Sequence, residues 1–83
     1  MTWTLLVGKP AKRDLEKLPN RDQFRLEAAL DAMAADPFSG DIKRLAPFGW
    51  RRRCGSYRIF YDLDIDGRRI AVTAIKRRTS TTY

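Results

Sequence analysis

From Trp50 to Leu63 the chain reads Trp-Arg-Arg-Arg-Cys-Gly-Ser-Tyr-Arg-Ile-Phe-Tyr-Asp-Leu, and no other stretch restricts the fold so tightly. Its β-branched and aromatic residues come in short runs on either side of Gly55-Ser56, which favours two strands joined by a turn. A strand points successive side chains to opposite faces. Tyr57, Ile59, Tyr61 and Leu63 therefore share one side, and Arg58, Phe60 and Asp62 share the other. With the apolar row as the core side, Arg58 faces solvent. On the preceding strand Arg51 and Arg53 share one face and lie across from Arg58, while Trp50, Arg52 and Cys54 take the other. The expectation is a platform of three guanidinium groups on a rigid sheet. Arg52 is the misfit on the nominal core side. Either its stem lies along apolar surface and its head reaches water at the sheet's edge, or the register is shifted by one.

The flanking segments supply the rest of a fold. Residues 2–7 are β-rich and short, Gly8 breaks them, and Pro10 suits the first turn of a helix, where its missing N–H is no loss. Ala11, Leu15 and Leu18 fall on one helical face, and Pro19 ends the run. Asn20 with Gln23 three residues on reads as a capping box opening a second helix. Leu26, Leu30 and Met33 form its apolar stripe, widened by Ala29 and Ala34, and Asp36-Pro37 stops it. So short a link between helices implies an antiparallel pair. Residues 37–49 read as loop, with one apolar piece around Ile42 and Leu45, and they carry Lys43 and Arg44 to the mouth of the platform. Asp66-Gly67 reads as a two-residue hairpin. Ile70 to Ile75 forms the last strand and delivers Lys76, Arg77 and Arg78 to its end, before the chain finishes at Tyr83. The expected architecture is α+β, in the order β-α-α-β-β-β. An antiparallel sheet carries a two-helix hairpin on one face and leaves the other face open and basic.

Composition narrows the class. Eighty-three residues make a single domain, 1–83, with one modest core. Residues 1–41 carry six basic and seven acidic side chains, a net −1, whereas residues 42–83 carry eleven basic and three acidic, a net +8. The excess charge thus lies in the half that forms most of the sheet, and it implies a polyanionic partner such as nucleic acid, or an acidic protein. One cysteine, Cys54, excludes an internal disulfide and fits a reduced, cytoplasmic setting. No metal-ligand cluster or cofactor motif is present, and no apolar run approaches the roughly 18 residues that span a bilayer.

The Arg-x-Arg-x-Gly-x-Tyr-Arg-x-x-Tyr run from Arg51 to Tyr61, the order of elements and the closing Lys-Arg-Arg-Thr-Ser-Thr-Thr-Tyr together resemble the RelE/ParE superfamily of toxin–antitoxin toxins, over nearly the whole chain. The resemblance implies a RelE-like fold. In the RelE branch, which cleaves messenger RNA in the ribosomal A site, it carries the catalytic arginines onto Arg58 and Arg77, the tyrosine onto Tyr83, and two alternating basic residues onto Arg51 and Arg53. Lys43, Arg44, Trp50, Lys76 and Arg78 then become candidates for contacting RNA or ribosome. Trp3 and Trp50 read first as filling core or edge, and of the two Trp50 has the better claim on a base. The best-known RelE members have lysines where this chain has Arg51 and Arg53. The implied partners are the ribosome and its message, and a cognate RelB-like antitoxin with an acidic segment, giving a hetero-oligomer.

The chemistry is consistent with that assignment. Cleavage of RNA by the neighbouring 2′-hydroxyl requires an activated hydroxyl, stabilisation of a highly charged phosphorane, and a proton for the leaving 5′-oxygen. Guanidinium forks suit the phosphorane. Arginine is a poor base, with a pKa above about 12, and the chain has no histidine. Tyr83, Lys43 or Lys76 would have to act as base. Two other readings stand beside this one: a ParE-like DNA gyrase inhibitor that binds protein and cleaves nothing, and an inert member that acts only in autoregulation.

Overall fold

The computed structural model describes residues 3–47 and 49–77. Its elements are β1 (Thr4–Val7), α1 (Lys9–Glu16), α2 (Asn20–Ala35), β2 (Asp41–Arg44), β3 (Gly49–Cys54), β4 (Tyr57–Asp64) and β5 (Arg69–Arg77). Pro10 occupies the first turn of α1 as expected. The capping-box reading of α2 is corrected. Asn20 already lies inside the helix, Pro19 stands at the cap, and no side chain caps the end. The Gln23 amide instead donates to Leu18 O at 2.7 Å, which ties the first turn of α2 to the segment leaving α1.

The α+β class holds, and the sheet differs from the expectation in two ways. It has five strands in the order β1-β5-β4-β3-β2, and it is mixed, because β1 runs parallel to β5. The crossover through both helices returns the chain in a direction that only a parallel pairing with β5 satisfies. The extra strand is β2, within the segment read as loop. Asp-Ile-Lys-Arg has too few apolar residues to show alternation, and it is extended because β3 gives it an antiparallel partner. The hairpin is also wider than expected. β4 and β5 are joined by four residues, 65–68, and the left-handed position falls on Arg68 (φ 51°) rather than Gly67. Asp64 organises this loop by accepting from Gly67 N at 3.1 Å and from Arg69 Nη2 at 2.7 Å. The carboxylate passes so close that a Cβ at Gly67 would stand 2.6 Å from it and the Asp64 side chain would have to give way.

One core joins the helices to the sheet. Ala11, Leu26, Ala29, Leu30 and Met33 meet Tyr57, Ile59, Tyr61, Leu63, Ile70, Val72 and Ile75. The period-2 row of β4 is therefore the buried one, as its alternation requires, and each fully buried aliphatic side chain contributes roughly 1.5–3 kcal/mol. In β5 the alternation breaks. Tyr61 pairs with Val72 but Phe60 pairs with Ala74, so Thr73 is an extra residue, a β-bulge. Beyond it the faces exchange, and Ile75 comes to the core while Lys76 does not.

Candidate functional site

The ladder of paired residues sorts the basic side chains by face. Arg52 pairs with Ile59 and Trp50 with Tyr61, so both start on the helix side; Arg51 pairs with Phe60 and Arg53 with Arg58 on the open side. Lys43 lies across from Arg51, and Asp41 across from Arg53. Lys76 lies across from Arg58. Two rows therefore cross the open face: Asp41, Arg53, Arg58 and Lys76, and beside it Lys43, Arg51, Phe60 and Ala74. The convergence of Arg51, Arg53 and Arg58 expected from alternation is present in the structure.

Their surroundings differ. Arg53 lies 3.7 Å from Asp41, with both side chains well exposed, and such a pair is worth little. Arg51 and Arg58 are half-buried, and the Nε of each is shielded from solvent with no hydrogen-bond partner among the described residues. A donor buried without an acceptor costs about 1–3 kcal/mol. Arg51, Arg53 and Arg58 share one face, and their combined charge favours an incoming anion there.

The other candidates fall elsewhere. Arg52 keeps the register that the sequence implied, and its head turns to the segment after α2. Nη1 donates to Ser39 O at 3.2 Å and to Ser39 Oγ at 3.1 Å. Gly40, at φ 79°, makes room for it, since a Cβ there would stand 2.8 Å from the guanidinium carbon. Trp50 is half-buried and stacks edge-on with Phe38, 5.5 Å between centroids, and Phe38 in turn meets Trp3 at 6.1 Å. It belongs to the packed aromatic edge rather than to the basic face. Arg44 is held by its own loop, donating to Ala46 O and Pro47 O. Lys76 reaches Asp14 of α1, 3.2 Å from Oδ2. Asp14 also accepts from Ile75 N at 3.1 Å, and that backbone bond, ahead of Lys76, holds its pKa below the usual carboxylate value.

Arg77 is the principal departure from expectation. The ladder places it across from Tyr57, the residue that faces the helices, and not beside Arg58. The bulge at Thr73 is the cause. Strict alternation from Ile70 would bring Arg77 to the open face, and one extra residue turns it to the other. Arg77 is exposed at the end of β5, near a Tyr57 hydroxyl that donates to Asp22 Oδ2 at 2.7 Å. That bond, reinforced by burial, raises the Tyr57 pKa above its ordinary value near 10, and Arg77 opposes the shift. Tyr57 thus stays protonated and structural. Arg78 and Tyr83 lie outside the described residues.

The face also has a second character that the sequence reading missed. Near the β4–β5 loop a groove of about 910 Å³ is lined by Leu6, Trp50, Ile65 and Ala71 among others, with Asp62, Asp64 and Asp66. Its arginines, Arg44 and Arg69, are both engaged within the chain. The basic rows lie toward the opposite end of the sheet, so this groove and the cluster of Arg51, Arg53 and Arg58 are separate features.

Comparison with known structures agrees with this architecture. The RelE–RelB complex from Pyrococcus horikoshii superposes with a TM-score of 0.85 at 23% identity, covering 98% of this chain and 100% of that one. The RelBE2 toxin–antitoxin complex from Mycobacterium tuberculosis gives 0.84 at 23% identity over 94% and 100%. A YoeB/ParE toxin from Agrobacterium tumefaciens gives 0.75 at 19% identity over 92% and 99%. At such identities these likenesses speak for the fold. Comparison with curated protein sequences gives no match. The family model for the ParE toxin of type II toxin–antitoxin systems, parDE, matches residues 5–81. With nearly the whole chain matched and the fold shared with RelE and YoeB/ParE toxins alike, the chain belongs to the RelE/ParE superfamily of type II toxin–antitoxin toxins.

Proposed function

We propose that residues 1–83 form one toxin domain that acts in the cytoplasm as a ribosome-dependent messenger RNA endoribonuclease. The observation that carries this reading is the convergence of Arg51, Arg53 and Arg58 on the open face of the sheet. The 2′-oxygen of an A-site nucleotide attacks the adjacent phosphorus, the P–O5′ bond breaks, and the products carry a 2′,3′-cyclic phosphate and a 5′-hydroxyl. Arg51 and Arg58 hold the non-bridging oxygens as charge grows on them, and Arg53 and Lys43 extend the positive field along the strand. Losing one preorganised donor of this kind typically costs a hundredfold or more in rate. Tyr83 is the proposed proton carrier. A substrate bound by Arg58 reaches Arg77 by passing over the sheet end that carries the Gly55-Ser56 turn.

The partner that checks this activity is an antitoxin. Several similar structures are complexes of a RelE toxin with a RelB antitoxin. For this chain the net +8 of residues 42–83 suits a RelB-like acidic segment that orders as it binds.

A second reading is a gyrase inhibitor of the ParE kind. It is favoured by the position of Arg77, which the bulge sets across from Tyr57 and away from Arg58, because a toxin that works by protein contact needs no such convergence. The two readings separate on expression without antitoxin. Discrete, codon-phased cuts in a translated message by primer extension are the expected result. Chromosome breakage with intact message would establish the gyrase reading instead.

A further inference from the structure

A large ring stands in the middle of the basic face and takes no part in the core. Phe60 points to the open side of β4, between Arg58 and Asp62 along the strand, and lies across from Arg51 on β3. On its other flank the partner is Ala74, which sets no more than a methyl beside the ring. Every other residue of that strand with a large apolar side chain is buried against the helices. The bulge fixes the backbone here, since Thr73 Oγ1 donates to Phe60 O at 3.2 Å. The ring is half-buried, and the two shielded, unpartnered guanidinium nitrogens belong to its nearest neighbours on the face, Arg51 and Arg58.

We propose that Phe60, with the shelf over Ala74, is a stacking subsite for one unpaired base of single-stranded RNA, whose flanking phosphates are taken by Arg51 and Arg58. This rests on the nuclease reading above and adds a base contact to it. Side chains held on a strand reach only a base that has left its stack, and unstacked bases bind aromatic faces while their phosphates bind cations. The alternative role for the ring is to cover the arginine stems and lend them its π-face, which requires no nucleotide.

Titrating the full chain with a short single-stranded RNA, and with the same oligomer carrying abasic sites, separates the two. Phe60→Leu keeps the apolar cover and removes the π-face; it should lose about tenfold or more in affinity for the intact oligomer and nothing for the abasic one. Phe60→Tyr should restore wild-type binding. Wild-type affinity of Phe60→Leu for both oligomers, or an equal loss for both, overturns the subsite and leaves the nuclease reading standing. A wild-type chain that binds neither oligomer, on or off the ribosome, overturns both.

Discussion

Arg51, Arg52, Arg53 and Arg58 fall within eight residues and meet different fates. Arg52 is bonded to Ser39, Arg53 is loosely paired with Asp41, and Arg51 and Arg58 each carry an unsatisfied donor. The difference can be measured as function against stability. Arg58→Ala should abolish growth arrest without lowering folding stability, because it removes a shielded donor that has no acceptor among the described residues. Arg52→Ala should do the reverse, lowering stability in urea by roughly 1–3 kcal/mol through loss of its charged hydrogen bonds and retaining toxicity at temperatures where it is folded. Full toxicity of Arg58→Ala, or a stability loss as large as that of Arg52→Ala, would show that Arg58 is a structural residue. Alternation along β3 and β4 already made this sorting legible, including the odd position of Arg52. What it lacked was Ser39 and Gly40, which are near Arg52 only in space.

Among the elements, β5 decides most. Its last turn of pairing lies beyond the end of β1, and there Asp14 of α1 takes the Ile75 N–H that no strand reaches. Asp14→Ala should cost about 1–3 kcal/mol at neutral pH, because it leaves a donor at a buried position unsatisfied. The Asp14 pKa is lowered on folding, so its contribution is complete above the unfolded value near 3.8 and is lost as pH falls through the folded one. The gap between wild type and Asp14→Ala in urea titrations should therefore be constant from neutrality to about pH 5 and should narrow below about pH 4. A gap unchanged by acid would mean that the charge of Asp14 contributes nothing. The same strand shows where the sequence was hardest to read. The spacing of Ile70, Val72 and Ile75 breaks a period of two, and that break is the only trace of the bulge which turns Arg77 away from Arg58. For β2 there was no trace at all, since an edge strand with one half-buried residue, Ile42, looks like loop until its partner is known. The helices and β4 were legible because each buries a continuous apolar row.

For the molecule as a whole, the helices and core occupy one side of the sheet, and Lys43, Arg51, Arg53 and Arg58 stand together on the other. The layout suits a protein that binds a polyanion on a rigid surface and leaves its helices to other contacts. It is poorly supplied with acid–base groups, having no histidine, with Tyr57 bonded to Asp22 and Lys76 to Asp14. General acid–base catalysis is typically worth about 10²–10⁴-fold, so the isolated chain should be a weak ribonuclease. Positioning by the ribosome, with the 2′-oxygen held in line, can replace several kcal/mol of barrier. The most direct measurement is single-turnover cleavage of one message, free and in the A site of purified ribosomes, with wild type and Arg58→Ala in parallel. Negligible cleavage of free RNA, clear cleavage on the ribosome to a 2′,3′-cyclic phosphate, and a loss of at least about a hundredfold in Arg58→Ala are expected. Intact message on the ribosome at saturating wild-type protein, or cleavage by Arg58→Ala at the wild-type rate, would contradict the nuclease reading.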